Sequence, residues 1–174
     1  MKNDHNPRTS LDSEDNDGIS RRELMIDGTA AAAGLAVAGA AGAETTKVPP
    51  VAIASANGLE AVGRAVARME AGGSAVESAV HGVAVVEDDP DDVTVGYGGL
   101  PNSEGVVQLD SCCMDGPTMR AGAVAALEGF RHPAQVALQV LQRTTRVLLV
   151  GEGAARFART IGFSQENLLT EKAR

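Results

Sequence analysis

Aromatic side chains are nearly missing from this chain, which has no Trp, one Tyr (Tyr97) and three Phe (Phe130, Phe157 and Phe163), 2% of 174 residues. Its length is enough for one domain with a real core. That core must be filled by Ala, Val and Leu, which bury less area per residue than aromatic rings do. Lysine is almost as scarce (Lys2, Lys47 and Lys172), and the formal charge is −8. Such a balance excludes the basic face that a nucleic-acid partner would need. It fits either a salt-adapted host, where surplus carboxylates maintain solubility, or an ordinary acidic protein. The three histidines, His5, His81 and His132, are too dispersed to predict a zinc site. The only cysteines, Cys112 and Cys113, are adjacent, so on a strand they point to opposite faces and can neither bond each other nor chelate one metal. Buried free thiols are expected. No cofactor is implied.

A long apolar run is lacking as well. The weakly apolar stretch from Gly28 to Ala43 is mostly Ala and Gly and too short to span a membrane. It follows a polar stretch ending in Ser20-Arg21-Arg22-Glu23-Leu24-Met25 and closes on Ala41-Gly42-Ala43. Paired arginines, a short apolar run and a small-x-small exit predict an acidic tail and twin-arginine signal over residues 1–43. The mature domain would be 44–174, exported already folded to the cell envelope or beyond it. No Cys follows the exit to carry a lipid anchor.

The remaining chain alternates between strand and helix patterns. Val48 to Ser55, opened by two prolines, predicts an entering strand. Leu59, Val62, Val66 and Met69 form a helical stripe that Gly72-Gly73 stops. Ser74-Ala75-Val76-Glu77 is a capping box, in which hydroxyl and glutamate each satisfy an unpaired amide at the helix start. Val76, Val80, Val83 and Val86 supply the next stripe, ending in the acidic run Asp88 to Asp92. That run lacks the ligand spacing of a calcium loop and predicts a solvated turn. A glycine-rich loop follows, Val95-Gly96-Tyr97-Gly98-Gly99-Leu100-Pro101-Asn102, and then an alternating strand pattern from Val106 to Gly116. Ala121 to Ala126 predicts a further strand, and Pro133 the first residue of a helix carrying Val136, Val140 and Leu141. Arg146 to Val150 predicts a strand leading into a short helix that ends at Gly162. The order β-α-α-β-β-β-α-β-α is a layered α+β fold. Gly151-Glu152-Gly153 superficially resembles a dinucleotide fingerprint, but Arg156 fills the third glycine position and no acidic ribose partner can be placed. A tight strand-to-helix turn explains it better. From the residues alone, no complete catalytic constellation is present.

Five collinear segments resemble the N-terminal part of the glycosylasparaginase (aspartylglucosaminidase) family of N-terminal-nucleophile hydrolases. They are Gly72-Gly73-Ser74-Ala75-Val76-Glu77-Ser78-Ala79-Val80; Val86-Glu87-Asp88-Asp89-Pro90; and Thr94-Val95-Gly96-Tyr97-Gly98-Gly99-Leu100-Pro101. Then come Leu109-Asp110-Ser111-Cys112-Cys113-Met114-Asp115-Gly116 and, last, Leu148-Leu149-Val150-Gly151-Glu152-Gly153-Ala154 with Phe163 through Thr170. The resemblance implies a four-layer αββα sandwich, made as a precursor that cleaves itself before a threonine. The hydroxyl of that threonine would be the nucleophile and its new α-amine the base. A covalent aspartyl-enzyme and an oxyanion hole follow from this chemistry. The implied substrate is a small β-aspartyl amide, glycosylasparagine or free asparagine.

No threonine in these residues stands in the His-Asp-Thr-like context where the family places its nucleophile. The resemblance therefore implies the α-subunit portion, with the C-terminal half of the sandwich missing and no activity from this chain alone. The implied partner is a β subunit of the same precursor, and the family assembles as a dimer of αβ units. Within this chain, Thr94 matches the family's supporting hydroxyl near the nucleophile's amine, and Gly96, Gly98 and Gly99 its active-site loop. Ala56 stands where glycosylasparaginases proper carry a tryptophan that shapes the substrate site, a change that argues against the sugar-linked substrate and leaves free asparagine or another β-aspartyl amide. The alternative expectation is a non-catalytic secreted remnant or binding module that keeps the half-fold.

Overall fold

A computed structural model describes residues 48–174; the signal predicted over 1–43 lies outside them. After a single 3-10 turn at Ala56–Gly58 the order is α1 (Leu59–Glu70), α2 (Ala75–Asp88), β1 (Gln108–Asp115), β2 (Arg120–Glu128), α3 (Pro133–Arg143), β3 (Leu148–Val150) and α4 (Gly151–Thr160). The α+β class is as expected, in the sequence α-α-β-β-α-β-α rather than one with an entering strand and three consecutive strands. Val48 to Ser55 forms neither strand nor helix, with Val51 and Ile53 exposed. Pro49 and Pro50 remove two ladder donors there, and no described strand runs beside it.

The sheet order is β1-β2-β3. β1 and β2 are antiparallel, while β3 returns parallel to β2 after α3. The ladder shifts register between Leu109 and Ser111, opposite Ala126, which adopts φ +47°. The Asp110 carboxylate accepts the Ala126 amide at 2.7 Å and so satisfies a donor that the bulge takes out of the ladder. The extra residue restores the inward direction, so Val124 and Leu127 both point to the core.

One face of the sheet is covered. Val124, Leu127 and Phe130 pack with Val136, Ala137 and Val140 of α3 and with Ala154, Ala155 and Ala158 of α4. The alanines of α4 let its backbone approach the strands closely, where aromatic rings would fill the gap between more distant elements. The opposite face is bare: Met114, Leu148 and Val150 are exposed, and so is Cys112. The expectation of two buried thiols therefore holds only in part. Cys113 is half-buried, and burial pushes its thiol pKa up.

Helices α1 and α2 form an antiparallel-type hairpin at the edge near β1. Their contact uses Ala61, Ala65 and Val80, with Val62, Val66 and Met69 half-buried and Leu59 exposed. The buried stripe of α1 is thus rotated from the predicted one. The reason is close approach at Gly82, where a Cβ would lie 2.3 Å from the Ala61 carbonyl oxygen. Ser74 caps α2 by accepting the Glu77 amide at 3.3 Å. The reciprocal half of the capping box is not made, because Glu77 accepts from Gln142 of α3 at 3.0 Å.

Candidate functional site

The glycine loop folds back on the end of α2. Gly96 has φ +61°, and a Cβ there would come within 2.1 Å of the Glu87 carbonyl oxygen, so no other residue fits without moving the helix end. The Tyr97 amide donates to that same Glu87 carbonyl at 2.8 Å, and the Gly98 amide donates to the Leu168 carbonyl at 2.9 Å. Below the loop, Val107, Leu109 and Leu168 form a second small core, flanked by Tyr97 and Leu169. The loop is held from both sides and does not present its amides as an open phosphate cradle.

Thr94 stands exposed at the start of this loop. Its hydroxyl donates to Asp92 Oδ1 at 2.5 Å, and its amide donates to the same oxygen at 2.9 Å. The other carboxylate oxygen accepts from Asn57 Nδ2 at 2.7 Å, and Asn57 Oδ1 accepts from Ser55 Oγ at 2.6 Å. Hydrogen bonds from Thr94 and Asn57 hold the Asp92 carboxyl below its usual range. A polar chain, Ser55–Asn57–Asp92–Thr94, therefore joins the loop to the turn that contains Ala56. Sequence reasoning singled out Thr94 but not Asn57, nor Asp92 as its partner, since their separation in sequence carries no periodic signal. Neighbouring Asp91 is paired with Lys172 at 2.8 Å, which lowers its pKa. Asp88 to Asp91 are exposed, as expected of a solvated acidic turn, and Asp91 and Asp92 are in addition held by these contacts.

A second polar cluster lies behind the loop. Glu87 is 1% exposed, yet it carries a carboxylate. Its Oε1 accepts the Ala134 amide at 3.0 Å, one of the unpaired donors at the start of α3, and its Oε2 lies 3.2 Å from His132 Nδ1. His132 Nε2 approaches Asp88 at 3.4 Å. Arg131 forms a two-pronged pair with Glu166 at 3.1 and 2.6 Å and stacks over the Tyr97 ring, 4.5 Å from its centroid. The hydrogen bond to Glu87 leads the causes that raise the His132 pKa, against an opposing effect of burial. A signal for Glu87 did exist, because it continues the buried stripe from Val80 by two helical turns and is a charge on an apolar face.

Other candidates separate from this site. His81 is exposed on α2, and no group of three or more metal-ligating residues occurs among the described residues. Gly151, at φ +51°, opens α4, and Glu152 pairs with Arg159 along that helix at 2.5 Å. A cavity of 440 Å³ between residues 51–53, α1, α2 and β1 is lined by apolar groups including Ile53, Met69, Val76 and Met114. Neither Thr94 nor the glycine loop lines it.

Comparison with known proteins adds what the geometry lacks. The model of a family described as asparaginase matches residues 31–174. The chain is 42% identical over 130 residues to the N(4)-(beta-N-acetylglucosaminyl)-L-asparaginase of Elizabethkingia miricola, covering 75% of this chain and 38% of that protein. It is 44% identical over 103 residues to the mouse (Mus musculus) protein of the same name, covering 59% of this chain and 30% of that one. Similarity to a plant-type L-asparaginase of Pyrococcus horikoshii is 42% over 100 residues, 58% of this chain and 32% of the relative. The chain thus spans between 30% and 38% of the length of these relatives.

Proposed function

The chain belongs to the asparaginase family, and from that premise we propose that it is the α-subunit portion of an amidohydrolase that cleaves a β-aspartyl amide. The observation that carries this reading is the Thr94 network at the mouth of the glycine loop. With its proton donated to Asp92, the Thr94 hydroxyl keeps its lone pairs available to accept from an amine. That is the service an N-terminal threonine needs if its α-amine is to act as base while its own hydroxyl attacks the amide carbonyl. The amide nitrogen then leaves as amine or ammonia, and water releases aspartate from the resulting ester. Thr94 would orient the amine without touching the scissile bond.

The threonine nucleophile belongs to a partner segment, the β subunit of the same precursor. The bare sheet face with Met114, Leu148 and Val150 is the surface on which such a segment would complete a four-layer sandwich, since an uncovered apolar sheet face favours association. Assembly as a dimer of αβ units follows the same reading. Ala56, next to Asn57 in the network, offers no stacking surface for a sugar, so free asparagine is favoured over glycosylasparagine. Export through the twin-arginine route, after folding, is the localisation proposed from residues 1–43.

The test is hydrolysis of L-asparagine and of N-acetylglucosaminyl-asparagine by the purified full-length chain, alone and with an added polypeptide that begins at a relative's threonine. The chain alone should release no aspartate, and the mixture should. Thr94→Val should lower turnover in the mixture by about tenfold or more. Hydrolysis by the chain alone would overturn the placement of the nucleophile. A second reading, a non-catalytic module, draws on the closed core between β2, α3 and α4. A monomeric, cooperatively melting chain that no threonine-bearing segment activates would favour it.

A further inference from the structure

Four parts of the chain converge on Glu87, and none of their contacts is needed for the hydrolase reading. The side chain of Glu87 holds the first turn of α3 and His132, while its backbone carbonyl holds Tyr97 and touches Gly96. Arg131, next to His132, covers the Tyr97 ring and pairs with Glu166, close to Leu168, whose carbonyl holds Gly98. The end of α2, the glycine loop, the start of α3 and the C-terminal segment thus share one charged cluster.

We propose that the Glu87–His132 pair is a pH-sensitive latch: a protonated His132 fastens the end of α2 to α3 and seats the glycine loop, and deprotonation lets the loop open. Two carboxylates face the imidazole, Glu87 at 3.2 Å and Asp88 at 3.4 Å, both from α2. Arg131 opposes them from the imidazole's own connector, but it is shared with Glu166 from the C-terminal segment and with the Tyr97 ring of the loop. When His132 loses its proton, Asp88 keeps this shared guanidinium at 3.4 Å, whereas Glu87 keeps the Ala134 amide and no cation in contact among the described residues. Glu87 is the side chain least able to tolerate that loss, because water cannot reach it.

The direction follows from linkage. The His132 pKa is raised in the folded state, chiefly by the Glu87 hydrogen bond and then by the charges of Glu87 and Asp88. Its stabilisation is therefore complete below the unfolded value of about 6.5 and is lost as pH rises through the folded one. Loop opening should increase over that window and then level off.

Proton NMR of the His132 ring and amide exchange at Tyr97 and Gly98 test the latch on the full-length chain between about pH 6 and about pH 9. Exchange rates are corrected for their intrinsic base catalysis. In the wild type and in His81→Gln, protection of Tyr97 and Gly98 should fall several-fold with the His132 midpoint, while Val136 and Val140 in α3 stay unchanged. His132→Gln should show no such step, and Glu87→Gln should lower the His132 midpoint. Protection that ignores the His132 titration, or a step that survives in His132→Gln, would overturn the proposal, as would a wild-type His132 midpoint at or below that of free histidine. Coincidence of the two wild-type curves decides the matter even if a variant fails to fold. Neither readout depends on hydrolytic activity, so the latch can fail while the hydrolase reading stands.

Discussion

Gly96 and Gly153 carry the same absent side chain in opposite settings. At Gly96 the backbone is left-handed and a Cβ would meet the Glu87 carbonyl at 2.1 Å, whereas at Gly153, in the first turn of α4, nothing lies within 4 Å. Gly96→Ala should therefore cost at least about 2 kcal/mol, combining left-handed strain with displacement of the α2 end. Gly153→Ala should stabilise by about 0.5–1 kcal/mol through reduced unfolded-state entropy. Urea denaturation of both variants checks the pair, and equal effects would contradict the loop geometry. At this scale the sequence was legible where chemistry and strain coincide. Glycines clustered around Tyr97 predicted a special backbone, and Thr94 stood at its entrance. Asn57, Asp92 and His132 were illegible because their roles arise from contacts between distant segments. Glu87 was readable in principle, as a carboxylate in register with a valine stripe.

Periodicity located the helices but did not aim them. Leu59 fits the apolar spacing of α1 yet is 81% exposed, because the approach at Gly82 turns the alanine face of α1 toward α2. Leu127 of β2 is 0% exposed, although the bulge at Ala126 breaks the alternation that would identify it. Leu59→Ala should change stability by no more than about 0.5 kcal/mol, and Leu127→Ala should lose about 2–5 kcal/mol. Thermal unfolding followed by circular dichroism separates the two outcomes. The helix beginning at Pro133 and the turn at Gly151 were predicted closely, since proline and glycine fix backbone geometry locally. Val48 to Ser55 read as a strand from its residues, but a strand needs a partner, and pairing is not a local property.

At the scale of the whole molecule, one sheet face is packed and the other carries exposed Met114, Leu148 and Val150. With a formal charge of −8, repulsion between copies opposes association of these faces, so self-association should strengthen as salt screens it. Sedimentation velocity should show concentration-dependent oligomers in the full-length chain, and Leu148→Lys with Val150→Lys should shift it toward monomer. A monomeric wild type at all salt concentrations would show that the bare face is not sticky. The seating of the glycine loop has a different consequence, one of timing. Its last fastening is the Leu168 carbonyl, and Lys172 secures the acidic run beside it. A ribosome delivers those residues long after Gly96 to Gly99, so the loop must wait, held only by upstream partners such as the Glu87 carbonyl, through the synthesis of the sheet, α3 and α4. The glycine loop is thus among the last parts of this chain to become fully seated during its birth.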